Sequence, residues 1–174
     1  PLSDEQLAWK VRSALRSAVE EERYAAVSSL SGGGPPEELG LLVEALGDES
    51  WRVRKEAVSR IAGASPAHAA PALVLALGED SNIARRNAAV EALGLIGRAA
   101  TDYLLRALDT VGRARKLVID ALGASGDGRA MGPLCAVLSD EDPNLRAAAA
   151  ESLGLLGRRE CAPALLRALE TSDL

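Results

Sequence analysis

The 174-residue chain is 48% hydrophobic and 26% charged with a mean hydropathy of +0.04, which excludes a disordered chain, and its formal charge of -5 gives no global attraction for nucleic acid or anionic membrane. No apolar run approaches the roughly 20 residues needed to span a bilayer and no signal-peptide apolar region opens the chain, so a cytoplasmic setting is expected. Two cysteines without CxxC spacing, Cys135 and Cys161, read as reduced core residues, and the single histidine, His68, excludes a multi-histidine metal site or relay.

In chain order, residues 1–31 read as a degenerate helix pair, with Leu7, Val11 and Leu15 on one helix and Ala26, Val27 and Leu30 on a second around Arg23. Trp9 lies on the first of these. Gly32 to Pro36 is the Gly/Pro-dense stretch of the chain; it lacks GxxxxGK[ST] and GxGxxG spacing and reads as a plain loop. Four full units are expected over 35–160, each an apolar helix A, a short turn and a helix B. Helix A is marked by Leu41, Leu42, Ala45 and Leu46, then Leu73, Val74, Ala76 and Leu77, then Leu104, Leu105, Ala107 and Leu108, then Leu134, Val137 and Leu138. Pro71, Pro133 and Pro163 are placed in first turns, where a missing N–H is tolerated.

Helix B carries Ala57, Val58 and Ile61, then Ala89, Val90 and Leu93, then Val118, Ile119 and Leu122, then Ala149, Ala150 and Leu153, the same helical face each time. Gly94, Gly123 and Gly154, with Ala62 in the first full unit, stand where a glycine can end a helix or admit a close neighbour, and helix B is expected to stop there. Ser50, Asn82 and Asp142 are N-cap candidates for helix B. Arg85 stands where other units carry Val53 and Leu145, which the pattern does not explain. His68 falls between units, in Ser65-Pro66-Ala67-His68, and reads as an exposed loop residue. Residues 161–174 repeat helix A as a terminal helix or half repeat.

Arg23, Arg54, Arg86, Arg115 and Arg146 recur at intervals of 31, 32, 29 and 31 residues, and Asp48, Asp80, Asp109 and Asp140 precede the last four by six. Such a period marks stacked supersecondary units, each too small to bury its apolar face alone. In the first unit Ser17 replaces the aspartate, which fits an N-terminal capping repeat.

The phrases DPNLRAAAAESLGLLG (Asp142 to Gly157) and SNIARRNAAVEALGLIG (Ser81 to Gly97), with CAPALLRAL and AAPALVLAL, resemble the HEAT-repeat family, and more narrowly the short bacterial HEAT-like repeats associated with phycobilisome lyases. The resemblance implies an all-α fold: a right-handed α-solenoid of about five HEAT-like helix-pair repeats forming one domain over 1–174. It also implies that Asp48/Arg54, Asp80/Arg86, Asp109/Arg115 and Asp140/Arg146 are a structural hydrogen-bond ladder between units. The six-residue offset supports this physically, since it places acid and guanidinium together at the start of helix B.

With the ladder assigned to structure, the residues one and five positions after each arginine become the candidates for binding, because they lie one turn apart on the side away from the apolar face. They are Tyr24, Lys55, Asn87, Lys116 and Ala147, and Ser28, Ser59, Glu91, Asp120 and Glu151. In HEAT solenoids these rows line the concave side. Units stacked about 10 Å apart would keep Glu91, Asp120 and Glu151 from sharing one ion, which favours a solvated or partner-binding ridge. Lys116 and Asp120 are also spaced to pair within their own helix. Trp51 has two readings, a packed turn residue or an exposed interface anchor.

Arg52, Arg54, Lys55 and Arg60 form a basic cluster, as do Arg113, Arg115 and Lys116, but the ladder arginines are committed and the neighbouring row is acidic, which argues against nucleic acid. The expected function is a non-catalytic scaffold with no cofactor, binding a partner protein or another domain of its parent chain through Trp51, Arg52, Lys55, Ser59, Asn87, Glu91, Lys116, Asp120 and Glu151. The repeat subtype also permits a phycobilin-lyase-type subunit or chromophore chaperone, against which stands an aromatic content of 2%. A HEAT-like DNA-repair protein would want a basic concavity. HEAT-like hydroxylases bind iron through His-Glu pairs, and here Ala69 follows His68, so that activity is not expected.

Overall fold

A computed structural model of the chain describes residues 4–79, 81–110 and 112–171. Asp80 of the expected ladder lies outside the described residues. The fold is an all-α helical-repeat solenoid in class, and the chain divides into two compact units, Pro1–Ala92 and Leu93–Leu174.

In the first unit the helices are α1 (Asp4–Ala14), α2 (Glu20–Ser29), α3 (Pro36–Ala45), α4 (Trp51–Ala62) and α5 (Pro66–Leu77); α6 (Ile83–Ile96) starts there and runs unbroken past its boundary. Helix A meets its own helix B where α1 packs on α2 and α3 on α4. Along the stack α2 meets α4 and α3 meets α5, so the unit has two layers, A beside A and B beside B. The second unit holds α7 (Thr101–Ala107), α8 (Arg115–Ala124), α9 (Met131–Val137), α10 (Pro143–Leu156) and α11 (Ala162–Thr171), with α8 packed on α7 and α10 on both α8 and α9.

The helix starts follow from local chemistry. Ser50 accepts the Arg52 and Val53 amides, Asn82 Oδ1 accepts the Arg85 amide at 2.9 Å, and Asp142 accepts the Asn144 amide at 2.8 Å. Pro36, Pro66 and Pro143 each stand at N1. Pro66 corrects two expectations. Ser65 O accepts from the His68 and Ala69 amides, so α5 begins there, His68 is an exposed residue of a helical first turn rather than of a loop, and Pro71 lies inside the helix.

The buried stripe is aliphatic. Leu42, Leu46, Ala57, Ile61, Leu73 and Leu77 are fully enclosed in the first unit, as are Leu104, Ile119, Leu122 and Leu134 in the second. Both tryptophans lie outside it, at 69% exposed for Trp9 and 68% for Trp51, which removes the packed reading of Trp51.

The repeated glycines also differ from expectation. Helices α6, α8 and α10 continue through Gly94, Gly123 and Gly154, and the left-handed residues come three positions later, at Gly97, Gly126 and Gly157. Gly94 and Gly123 serve close approach instead. A Cβ on Gly123 would lie 2.6 Å from Ser152 Cβ and 2.7 Å from its Cα, where Ser152 Oγ donates to Ile119 O at 3.0 Å across the α8/α10 contact. A Cβ on Gly94 would lie 3.0 Å from Ala124 Cβ, while at Gly154 nothing lies within 4 Å.

These environments predict opposite outcomes for one substitution. Gly123→Ala forces α10 off α8 and should cost about 1–3 kcal/mol despite the better helix propensity of alanine. Gly154→Ala should stabilise by about 0.5–1 kcal/mol. Urea unfolding of both variants beside the parent checks the contrast.

Candidate functional site

The ladder residues act at the turns between helices A and B. Arg23, 5% exposed on α2, donates Nε and Nη2 to the two oxygens of Asp48 at 2.8 and 3.1 Å, Nη2 also to Glu49 at 2.9 Å, and Nη1 to Ser17 O at 3.0 Å. Its hydrogen bond to Asp48 holds the guanidinium pKa above its ordinary value. Arg54 Nη1 donates to the carbonyls of Asp48 and Glu49 at 2.8 and 2.9 Å.

The second unit repeats both halves of this arrangement. Arg115 Nη1 donates to Asp140 Oδ2, and Arg146 Nη1 donates to the carbonyls of Asp140 and Glu141 at 3.0 and 3.1 Å. Partners six apart in sequence therefore meet through the backbone, whereas the carboxylate takes the arginine 25 residues earlier. Each aspartate also closes its own turn, Asp48 Oδ1 accepting the Ser50 amide and Asp140 Oδ1 the Asp142 amide. Ser17 keeps that turn role, its hydroxyl accepting the Val19 amide at 3.1 Å. Arg86 is half-buried on α6, and Asp109 is exposed at the end of the α7 segment.

Sequence reasoning missed a second ionic cluster. Arg129 donates Nε to Asp127 at 2.8 Å, Nη1 to Asp102 at 2.7 Å and Nη2 to Arg98 O at 3.1 Å, tying the entry of α9 to that of α7. Asp127 is buried, and its side-chain and backbone hydrogen bonds from Arg129 hold its pKa down at about 2. Asp and Arg here fall outside the main period, so the repeat pattern carries no signal for them. Arg85, unexplained by pattern, pairs with Glu79, and its guanidinium lies in space that a Cβ on Gly47 would fill. Asn82 Nδ2 donates to Gly47 O at 3.0 Å beside it.

Four of the candidate binding residues come together in the first unit. Trp51, Lys55, Asn87 and Glu91 line a groove of about 500 Å³ between α4 and α6, completed by Arg54, Val58, Ile83, Ala84 and Ala88. Ile83, 66% exposed, occupies on α6 the place of Trp51 on α4, each three residues before its arginine. Lys55 Nζ pairs with Glu91 along one flank. Arg52 points elsewhere: it stacks on the Tyr24 ring at 4.2 Å and pairs with Glu21, whose hydrogen bond raises its pKa. Ser59 is exposed on α4 outside the groove lining. In the second unit Lys116 pairs with Asp120 at 2.9 Å within α8, and Glu151 is exposed on α10.

The groove sets two exposed apolar side chains beside a salt bridge, with the nearby Arg54 engaged by turn carbonyls. The family model of HEAT repeats matches residues 10–94, 41–123 and 101–174, the turns and helix pairs described above. The chain belongs to the HEAT-repeat family. No described helix of this HEAT-repeat chain is long and apolar enough to cross a membrane. Among solved structures it is similar to the complex of CpcE and CpcF of phycocyanin lyase from Nostoc sp. PCC7120, at 23% identity over 100% of this chain and 73% of that one, TM-score 0.46. An engineered protein, at 19% identity over 94% and 85% of the two chains, gives a TM-score of 0.41. A designed armadillo repeat protein, at 22% identity over 97% and 93%, gives 0.38. No curated protein matches the chain.

Two predictions test the turn chemistry. Asp48→Ala strands the buried Arg23 guanidinium and should cost about 3 kcal/mol, whereas Lys55→Ala, which breaks an exposed pair, should cost less than about 1 kcal/mol; chemical denaturation distinguishes them. Asp127 and Asp140 both have depressed folded pKa values, so their stabilisation is complete above the ordinary Asp value of about 4 and is lost as pH falls toward the folded values, about 2 for Asp127. Unfolding midpoints measured down this window should fall steeply, and Asp127→Asn should flatten the slope.

Proposed function

We propose that this HEAT-repeat chain is a non-catalytic protein-binding scaffold, and that a partner protein or another domain of its parent chain docks on the helix-B surface at the α4/α6 groove. The observation that carries this is the pair Trp51 and Ile83, both about two-thirds exposed at the starts of neighbouring B helices, where removing them from water would reward a partner. Asn87 and the Lys55–Glu91 pair form a polar rim that selects among apolar partners, since an ill-matched surface would leave those groups unpaired. Ser59 on α4 supplies a further contact beside the groove, and Lys116, Asp120 and Glu151 hold the corresponding positions on the B helices of the second unit.

Affinity capture compared by quantitative mass spectrometry tests the reading with three forms: the parent chain, Trp51→Ala/Ile83→Ala, and Leu75→Ser on the outer side of α5 as a control. A protein retained by parent and control but lost by the groove variant supports it. If every captured protein ignores the groove variant, or if the chain instead shifts the visible absorption of a tetrapyrrole or retains DNA in a salt-sensitive way, the proposal is wrong.

A further inference from the structure

A second surface lies on α1, away from the α4/α6 groove. Trp9, Arg12 and Ser13 of α1, with Arg16 in the turn that follows it, line a shallow depression of about 340 Å³. The face is held outward because Val11, Ala14 and Leu15, on the other side of the same turns, are the half-buried residues packed toward α2. Trp9 is 69% exposed, the most exposed aromatic side chain among the described residues.

The two arginines differ from the other surface arginines of the first unit. Arg52 holds Glu21, Arg60 holds Glu56 and Arg85 holds Glu79, whereas Arg12 and Arg16 have no carboxylate partner among the described residues. Two guanidinium forks one turn apart beside an exposed indole combine bidentate recognition of carboxylates with an apolar face. The short reach of the face favours a small acidic segment over a long polyanion. Glu20, Glu21 and Glu22 open the next helix, and the chain as a whole carries -5, so a nucleic acid extending beyond α1 would meet repulsion.

We propose that the Trp9/Arg12/Arg16 face binds a short acidic peptide segment carrying an apolar anchor residue, the anchor lying on Trp9 and its flanking carboxylates on the two guanidinium groups. The site is independent of the α4/α6 groove. Fluorescence anisotropy with a labelled peptide of Glu and Leu residues tests it, with a Lys and Leu peptide and a single-stranded oligonucleotide as competitors.

The Glu/Leu peptide should bind, Arg12→Glu/Arg16→Glu and Trp9→Ala should each weaken it about tenfold or more, and Trp51→Ala/Ile83→Ala should leave it unchanged. Circular dichroism confirms that the variants stay helical. If the charge-reversal variant loses helicity, Arg12→Gln/Arg16→Gln decides in its place. Undiminished binding by a folded arginine variant, absence of binding by the parent chain, or equal binding of the Lys/Leu peptide or the oligonucleotide overturns the proposal.

Discussion

A buried guanidinium that serves two turns at once is the constraint from which the rest of the structure follows. A helix pair of this size leaves carbonyls unsatisfied at the turn between its helices, and burying them unpaired would cost more than a lost surface contact. An arginine on the first turn of helix B supplies enough fixed donors to satisfy its own turn and still reach the carboxylate of the next. Arg23 does both, donating to Ser17 O and to Asp48, and Arg54 and Arg115 show the two halves separately. Desolvation offsets much of the Coulomb gain, so the net contribution to stability is smaller than the distances imply. Its main consequence is register, since α2 is set against the turn before α4 and α8 against the turn before α10.

Register in turn decides how closely helices pack. With no Phe and both tryptophans outside, the core has few bulky side chains to hold helices apart, and α8 and α10 approach until Gly123 faces the backbone of Ser152. The same small-residue economy leaves large apolar side chains on the outside. Trp51 and Ile83 stand at the starts of their helices, three residues before Arg54 and Arg86, and their side chains are displayed rather than packed. The framework arginine Arg54 and the exposed Trp51 and Ile83 thus meet in one groove between α4 and α6.

Charge is divided along similar lines. Four surface cations of the first unit are paired with acids across or along helices: Arg52 with Glu21, Lys55 with Glu91, Arg60 with Glu56 and Arg85 with Glu79. On α1 the balance reverses, and Arg12 and Arg16 stand beside Trp9 without such partners among the described residues.

The helix pairs, their apolar faces, the caps at Ser50, Asn82 and Asp142 and the importance of the Asp/Arg period were all legible in the amino-acid order, because each depends on local spacing and propensity. The helix ends were less so: a glycine reads alike whether it stops a helix or admits a neighbour, and only the approach of Ser152 to Gly123 separates the two. The period located the ladder residues but not their partners, since Arg23 finds Asp48 across 25 residues while the nearer pair meets through carbonyls. Ile83 joined Trp51, and Arg129 gathered Asp127 and Asp102, for the same reason. Sequence by itself determined which residues repeat and which face of each helix is apolar; tertiary structure decided which turn each arginine serves and which side chains remain in water, because those outcomes depend on distances between helices that no one-dimensional spacing contains.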